Sequence, residues 1–294
     1  MFLATTLDAQ ERREFRELHM GMEVRIVLYA AGEARARSAA RAAFDRIEEL
    51  ENIMSDYRPE SELRRLERRP GEWIPVSEPL FYILARSVEV AEATDGAFDP
   101  TVGPLVALWR DSRRTRQLPE PRKLDSAHVL VGWRRIRIDT TGRRVHLTIP
   151  GMRLDLGGIA KGYILQRAVD ALHQRGARSV LVEAGGDVAL GDAPPGARGW
   201  TIATQDSSVI LANTSISTSG PQSQFVDIDG VRYSHVVDPH TGLGLTKGHS
   251  ATVIAADGAL ADALATALTV LGPEHARRVL ARYPGVVAKL SLER

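Results

Sequence analysis

Residues 154–163 read LDLGGIAKGY, in which a short apolar segment ends at a carboxylate and a glycine pair opens a predicted helix. The bare backbone of Gly157 and Gly158 can approach a ligand closely, and a helix N-terminus favours negative charge. Lys161 follows one turn into that helix, within reach of an anion. The stretch therefore favours a phosphate-bearing ligand, although a tight strand-to-helix turn also needs glycine for structural reasons alone.

A second polar pair lies in residues 262–266, which read DALAT. Asp262 and Thr266 are four positions apart and so share one face of a predicted helix. Carboxylate and hydroxyl oxygens are donors that Mg²⁺ prefers. The structural alternative is a carboxylate that complements the helix dipole and a threonine that bonds back to its own helix. Taken together, the two segments indicate a metal-bound diphosphate.

The composition is that of an ordinary globular protein. With 294 residues and 44% hydrophobic content, the chain can bury a sizeable core as one large domain or two lobes. The 38 basic residues nearly cancel the 37 acidic ones, so we expect no nucleic-acid partner, and the arginine-rich run at 110–116 is interpreted as a solvated face. The absence of cysteine excludes disulfides, thiolate nucleophiles and cysteine-ligated metals.

The first eight residues, MFLATTLD, lack a basic region and a long apolar region, and no stretch approaches the ~20 apolar residues of a membrane span. As written, the sequence predicts a cytoplasmic protein with no transmembrane segment. A trimmed N-terminus would hide an export signal and leave a periplasmic, membrane-tethered setting open.

Periodicity predicts an α+β protein. Asp229-Gly230 between two alternating runs is a strong hairpin signal, and a further hairpin is predicted at 140–142. The predicted helices span 33–53, 77–93, 159–175 and 259–271, and a strand is predicted at 23–29. We expect a β-rich body with flanking helices and a helical insertion at about 60–125, all in one domain, and a flexible loop at 111–125.

Four further segments carry candidate functional residues. For each, a purely structural role as a turn, a loop cap or a strand residue is the alternative. His235, three residues before an Asp-Pro turn, is a candidate general base because imidazole titrates near neutral pH. Tyr57 in a loop after the first long helix could stack on a planar ring. The other two segments are the stiff GAFDPTVGP loop at 96–104 and a second Gly-Gly-Asp turn at 185–187.

In order, and across nearly the whole chain, these segments resemble the ApbE family of FAD:protein FMN transferases. The family's start motif is similar to MGM at 20–22, and its other motifs are matched by MSDYRPES at 54–61, GAFDPTVGPL at 96–105, DLGGIAKGY at 155–163, SHVVDPHTG at 234–242 and ADALATA at 261–267. The resemblance implies an ApbE-like, T-fold-like β-rich body.

The resemblance also implies ligands and residue roles. FAD would be the substrate and Mg²⁺ the metal. Residues holding the flavin or adenine end would be Met20, Tyr57, Ala97, Phe98 and Asp99, with Asp155, Lys161 and Val236 lining the rest. Asp262 and Thr266 would ligate Mg²⁺ with a backbone carbonyl from the turn at Gly158 to Ala160.

The implied reaction transfers FMN from FAD to a Thr or Ser hydroxyl of a partner flavoprotein and releases AMP. His235, oriented by Asp238, is the candidate to accept the hydroxyl's proton, and Lys161 completes the catalytic set. Two alternatives stay open: an FAD diphosphatase in which water replaces the hydroxyl, and a non-catalytic FAD-binding protein.

The sequence departs from the family pattern in three segments. Met22 replaces the usual Thr, Glu183 stands where Asn is common, and Pro221-Gln222 replace an acidic-aromatic pair. The first two would alter packing or hydrogen bonds to the cofactor, and the third would alter acceptor docking.

Overall fold

The computed structural model describes residues 10–204, 207–220, 225–246 and 249–292. The helices are α1 Glu33–Met54, α2 Glu62–Glu67, α3 Glu78–Ala93, α4 Gly103–Thr115, α5 Pro121–His128, α6 Ala160–Gln174 and α7 Gly258–Leu280. The strands are β1 Glu11–His19, β2 Met22–Ala30, β3 Ile74–Pro75, β4 Ile136–Asp139, β5 Arg144–Leu147, β6 Val180–Ala184, β7 Asp187–Leu190, β8 Trp200–Ala203, β9 Ser208–Leu211, β10 Ser215–Ser219, β11 Phe225–Ile228, β12 Val231–Ser234, β13 His249–Ala255 and β14 Val287–Leu292.

A seven-stranded sheet with the order β1-β2-β6-β7-β10-β13-β14 forms the centre of the fold. Every neighbouring pair in it is antiparallel. Three small sheets, β11-β12, β3-β5-β4 and β8-β9, lie outside it. With helices and a large antiparallel sheet in one chain, the predicted α+β class is confirmed.

The two faces of the central sheet bury different partners, as the alternation of β2 shows. Val24, Ile26 and Leu28 point into the main core, which also contains the buried faces of α1, α6 and α7. Val27 points the other way, into a smaller cluster with Trp200 and other residues of the β8-β9 hairpin. Because alternate side chains of a strand point to opposite faces, helices α1, α6 and α7 lie on one face of the sheet and the β8-β9 hairpin lies on the other.

Strand β1 ends the sheet on one side, and its residues ERREFRELH are all exposed or half-buried. Its turn to β2 contains Met20 and Gly21 at φ 53° and 72°. Because His19 pairs with Met22, this is a two-residue hairpin, whose two central residues require left-handed backbone. Met20, a predicted cofactor-binding residue, therefore lies at a hairpin tip.

Helices α6 and α7 cross in very close contact. A Cβ atom added to Gly162 would lie 1.9 Å from the carbonyl oxygen of Gly258, and one added to Gly258 would lie 2.3 Å from that of Gly162. Only glycine at both positions allows this approach. The crossing places the N-terminal parts of the two helices, which carry Lys161 and Asp262, beside each other.

The structure confirms the local predictions that rest on strong signals. Ser77 accepts a hydrogen bond from the Leu80 N–H and caps α3, and Asp229 and Gly230, at φ 51° and 77°, form the turn between β11 and β12. Helix α7 reaches beyond the predicted 271, with a kink at Gly272, φ 68°, followed by Pro273.

The predicted flexible loop at 111–125 is wrong for most of its length. Helix α4 continues through Thr115, and α5 begins at Pro121, which fits the first helical turn because no backbone N–H is needed there. Asp111 pairs with Arg114 at 2.6 Å, one helical turn apart. Helices α2 to α5 do occupy the predicted insertion; that they form a lobe within one domain stays a prediction.

No helix in the described ranges combines the length and apolar character that crossing a membrane requires.

Candidate functional site

The Gly157-Gly158 turn lies against helix α7. A Cβ atom on Gly158 would lie 2.9 Å from Thr266 Oγ1, and Asp155 Oδ1 accepts a hydrogen bond of 2.8 Å from the Gly157 N–H. Ala160 is the first residue of α6. The turn and the predicted hydroxyl ligand are therefore neighbours, although they are far apart in sequence.

Lys161 lies between two carboxylates beneath this turn. Its Nζ donates a hydrogen bond to Asp187 Oδ2 and lies 3.6 Å from Asp262 Oδ1. The other oxygen of Asp262 accepts a hydrogen bond of 3.1 Å from the Gly162 N–H, at the helix crossing. We call Lys161, Asp187 and Asp262 the buried charge cluster; the side chains of the two carboxylates are at most 6% exposed.

Burial governs the electrostatics of this cluster. Desolvation raises the pKa of Asp262 to about 7; Lys161 opposes that shift and Asp187 adds to it. For Lys161, desolvation alone would lower the pKa, but the carboxylates of Asp187 and Asp262 outweigh it, so its pKa is raised. One ammonium thus faces two carboxylates, an arrangement that attracts a further cation.

The donors around the cluster fit Mg²⁺. Asp187 Oδ1 and Ser217 Oγ, on the neighbouring strands β7 and β10, are buried without a hydrogen-bond partner among the described residues. The described residues contain no group of three His, Cys, Asp or Glu side chains placed to hold a metal. A hydroxyl, backbone carbonyls and ligand oxygens must complete the site, which suits a cation that is usually held by one or two carboxylates and substrate phosphates.

A second group of candidate residues is held together by Arg110. Its guanidinium stacks on the Tyr57 ring at 4.3 Å and donates to Asp56 Oδ2 at 2.6 Å and Asp155 Oδ2 at 3.1 Å. Burial raises the pKa of Asp155, and the nearby Asp56 raises it further, whereas Arg110 lowers it. Tyr57 is 74% exposed, so most of its surface is open to a ligand.

The 96–104 loop is rigid for a visible reason. Asp99 Oδ1 accepts from the Thr101 N–H at 2.8 Å and the Thr101 hydroxyl at 2.6 Å, while Oδ2 accepts from the Trp133 N–H at 3.0 Å. Ala97, Phe98 and Asp99 are all buried. Burial raises the Asp99 pKa against these hydrogen bonds. Contact of this loop with a cofactor stays a prediction.

Met20 and Val236 lie outside the buried charge cluster. The Met20 N–H donates to Glu51 Oε2 at 3.2 Å, and the Val236 N–H donates to Ser234 Oγ at 3.0 Å. The hairpin tip nevertheless reaches the second glycine turn, because a Cβ atom on Gly185 would lie 2.7 Å from the sulfur of Met22.

The predicted general base lies on a segment anchored by helix α4. Trp109 Nε1 donates a hydrogen bond of 3.0 Å to the carbonyl oxygen of Ser234, the residue before His235, and His235 is partly exposed. Asp238 Oδ1 accepts from the His240 N–H at 2.9 Å and lies 3.2 Å from His240 Nδ1. The contacts of Asp238 therefore run to His240, and its orientation of His235 stays a prediction.

Two residues of the site were missed by sequence reasoning. Asp187 was recognised only as part of a turn, although its position at the start of a strand beside a Gly-Gly pair was a usable signal. Arg110 was interpreted as part of a solvated face; that interpretation is wrong for this residue, which is half-buried and bonded to Asp56 and Asp155.

Comparison with known proteins identifies the family of this chain. Residues 20–290 match the sequence model of the ApbE family. The chain is 32% identical over 297 residues to the FAD:protein FMN transferase of Treponema pallidum, covering 92% of this chain and 82% of that protein. It is 32% identical over 250 residues to the enzyme of the same name from Escherichia coli K12, covering 79% and 70%.

Solved structures show the same fold. An ApbE protein of Thermotoga maritima superposes with a TM-score of 0.85 at 32% identity, over 96% of this chain and 94% of that one. The flavinyl transferase ApbE of Pseudomonas stutzeri, in its apo form, gives 0.85 at 29% identity over 99% and 94%. The chain is thus an enzyme of the transferase class. More narrowly, it belongs to the ApbE family.

Proposed function

We propose that this chain is a Mg²⁺-dependent FAD:protein FMN transferase, which moves FMN from FAD onto a Thr or Ser hydroxyl of a partner flavoprotein and releases AMP. The names of its relatives support the substrate and the kind of acceptor. The observation that carries the proposal is the buried charge cluster beneath a glycine turn. Binding of a flavin alone requires no such arrangement, whereas transfer from a diphosphate requires charge neutralisation.

Mg²⁺ would be held by Asp262, Thr266 and the backbone carbonyls of Gly158 and Ala160. When bound, it supplies a positive charge that stabilises the diphosphate and the departing AMP. The close approach of Gly158 to Thr266, and the two carboxylates that face the Lys161 ammonium, support this assignment.

The chain's own residues position the two reactants. Tyr57, Met20 and the 97–99 turn bind the ring systems, and Asp155 and Val236 line the space between them. Lys161, which its two carboxylates hold in the charged form, neutralises phosphate oxygen charge. These contacts fix FAD so that the acceptor oxygen meets one phosphorus in line.

The bond changes are those of a phosphoryl transfer. The acceptor oxygen forms a bond to the phosphorus of the FMN half, and the bond from that phosphorus to the bridging oxygen of the diphosphate breaks. AMP leaves with that oxygen. His235, on the segment that Trp109 anchors, accepts the proton of the acceptor hydroxyl, and Asp238 assists it.

The test is to incubate the purified chain with FAD and Mg²⁺, with and without an acceptor flavoprotein. AMP is followed by chromatography and the acceptor by mass spectrometry. We expect AMP together with a mass gain of one FMN on the acceptor, only when the acceptor is present. AMP and free FMN without acceptor would instead show a diphosphatase, and intact FAD in both reactions would show a binding protein.

Asp262→Asn is the informative variant because it removes one charge with little change in shape. We expect it to abolish both AMP release and flavinylation. The control is Asp170→Asn, on the same pair of helices, where the carboxylate is 43% exposed and pairs with Arg167 at 3.0 Å. Equal activity of the two variants would overturn the metal assignment.

A further inference from the structure

The C-terminal part of α4 faces strand β11 across a cleft of about 450 Å³. We call it the arginine cleft, because its helix side carries four arginines. Its lining includes Arg110, Arg113, Arg114, Arg116, Phe225 and Asp227. Phe225 is 46% exposed, and the Arg232 guanidinium stacks on its ring at 3.9 Å.

At the outer end of this cleft, Arg114 and Arg116 are exposed. Asp227 is paired with Arg232, whose Nε lies 3.0 Å away, and Asp111 is paired with Arg114. In the part of the chain that the structure describes, Arg116 has no carboxylate within ion-pair distance, and the Arg114 side chain is 75% exposed. Arg116 and the exposed part of the Arg114 guanidinium are therefore available to a ligand that brings carboxylates.

The cleft is continuous with the candidate active site through α4. Arg110 forms its inner end and contacts Tyr57 and Asp155. The preceding residue, Trp109, holds the carbonyl of Ser234 immediately before His235. A chain lying in the cleft would thus pass beside both the exposed ring that is proposed to bind FAD and the segment that carries the proposed base.

We propose that the arginine cleft docks an acidic segment of the acceptor protein next to its flavinylated Thr or Ser. This inference rests on the proposed function. The carboxylates of Asp or Glu side chains bind guanidinium groups in paired, planar hydrogen bonds, which fix the register of the segment as well as attract it. The diphosphate of FAD has its own cationic partner at Lys161, so the cleft is left for the second substrate.

Charge reversal separates docking from chemistry. Arg114→Glu with Arg116→Glu changes the cleft, and Arg277→Glu with Arg278→Glu is the matched control, because those two exposed arginines also lie in the last turn of a helix. With an acceptor whose Thr is flanked by glutamates, we expect the cleft variant to lose at least about tenfold in kcat/KM for acceptor. The KM for FAD should stay unchanged, and the control should match the wild type.

The acceptor provides the reciprocal test. Replacing its flanking glutamates by glutamines should lower kcat/KM with the wild-type enzyme and leave no further loss in the cleft variant, as a double-mutant cycle requires for a direct contact. Flanking lysines should restore activity to the cleft variant. A fluorescein-labelled peptide with the same glutamates should bind the wild type more weakly as salt rises.

Three results would overturn the docking proposal: an unchanged kcat/KM for acceptor in the cleft variant, an equal loss in the control, or a raised KM for FAD, which would assign the cleft to FAD. If the wild-type enzyme modifies acceptors but the cleft variant is unaffected, only the docking proposal fails. If the wild type releases no AMP and modifies no acceptor, the proposed function fails and the docking proposal fails with it.

Discussion

Two Gly-Gly turns, at 157–158 and 185–186, lie at the same site and need glycine for opposite reasons. At Gly158 the backbone is not left-handed, but an added Cβ atom would lie 2.9 Å from Thr266 Oγ1. At Gly186 the backbone is left-handed, φ 91°, yet the nearest atom to an added Cβ would be 3.9 Å away. Gly158 therefore requires space, and Gly186 requires a backbone conformation.

The difference bears on the proposed metal site, which includes the first turn and not the second. A conformational glycine closes a hairpin regardless of ligand, and here it closes β6 onto β7. Gly158 instead brings the backbone close to Thr266, a proposed metal ligand. The two turns meet because Lys161, just after the first, bonds to Asp187, just after the second. Substitutions in and around the turns should therefore give different kinds of defect.

The largest effect is expected at Gly162, where space is most restricted. In Gly162→Ala the methyl group would meet the Gly258 carbonyl, so α6 and α7 must separate, at a cost of at least about 3 kcal/mol of unfolding free energy. Urea unfolding of the wild type and the variant measures this loss of unfolding free energy. The control is Gly176→Ala at the far end of α6, φ 81°, where no atom lies within 4 Å of an added Cβ. If the two variants lost the same unfolding free energy, the close contact with Gly258 would not explain the need for glycine at 162.

The link between the turns should give the next largest effect. Asp187→Ala removes the main partner of Lys161 within a buried cluster and should cost about 2 kcal/mol of unfolding free energy. Asp192→Ala is the control, since its pair with Arg178 has side chains 36% and 66% exposed and should contribute under about 1 kcal/mol. If thermal unfolding gave the two variants the same stability, burial would not strengthen the Lys161 pair.

Gly158→Ala should damage function more than stability. The methyl group displaces Thr266, so we expect about tenfold lower AMP release at limiting Mg²⁺, with recovery at saturating Mg²⁺. Thr266→Val, which removes the hydroxyl but keeps the volume, should shift the Mg²⁺ titration in the same direction. A wild-type Mg²⁺ dependence in Gly158→Ala would break the distinction between the two turns.

Gly186→Ala should show the reverse defect. Left-handed strain should reduce the unfolding free energy by about 1 kcal/mol while the Mg²⁺ dependence stays that of the wild type. Gly186→Asn should lose less, since asparagine tolerates this conformation better than alanine. A changed Mg²⁺ titration in either variant would show that this turn, too, contacts the ligand.

The smallest effect concerns pH. Burial, and then Asp56, raise the pKa of Asp155 above its value in the unfolded chain, so between those two pKa values the folded protein binds the proton more tightly. The resulting stability is present below about pH 3.9 and is lost as the pH rises through the folded-state pKa. In Asp155→Asn, the urea midpoint should fall less as the pH rises. In Asp45→Asn, where the wild-type Asp45 side chain is 64% exposed, the midpoint should fall as in the wild type.

Local signals account for what the sequence could predict of the fold. The Ser77 cap and the Asp229-Gly230 turn act within a few residues, and both predictions are confirmed. The prediction of a flexible loop at 111–125 is wrong because arginine and proline are not specific to loops. Pro121 instead begins a helix, and Arg114 pairs with Asp111 along α4.

The candidate site also contains residues that local motifs predict and residues that they do not. Gly158, Lys161, Asp262 and Thr266 lie in recognisable motifs, and the structure brings them together. Asp187 and Arg110 act through partners 26 and 45 residues away, which no local pattern reveals. Their roles depend on how α6 and α4 pack against the rest of the molecule, and only the three-dimensional structure supplies that.

Strand β1, at one end of the central sheet, has a consequence for behaviour at high concentration. An end strand can template pairing with another copy, which leads to aggregates. Here it alternates acidic and basic side chains, including Arg12, Glu14 and Arg16, which are paired among themselves at 2.8 Å and 2.6 Å. Pairing of two such strands would desolvate the charged side chains of both. The charges on β1 therefore oppose edge-to-edge association of newly made copies at high concentration.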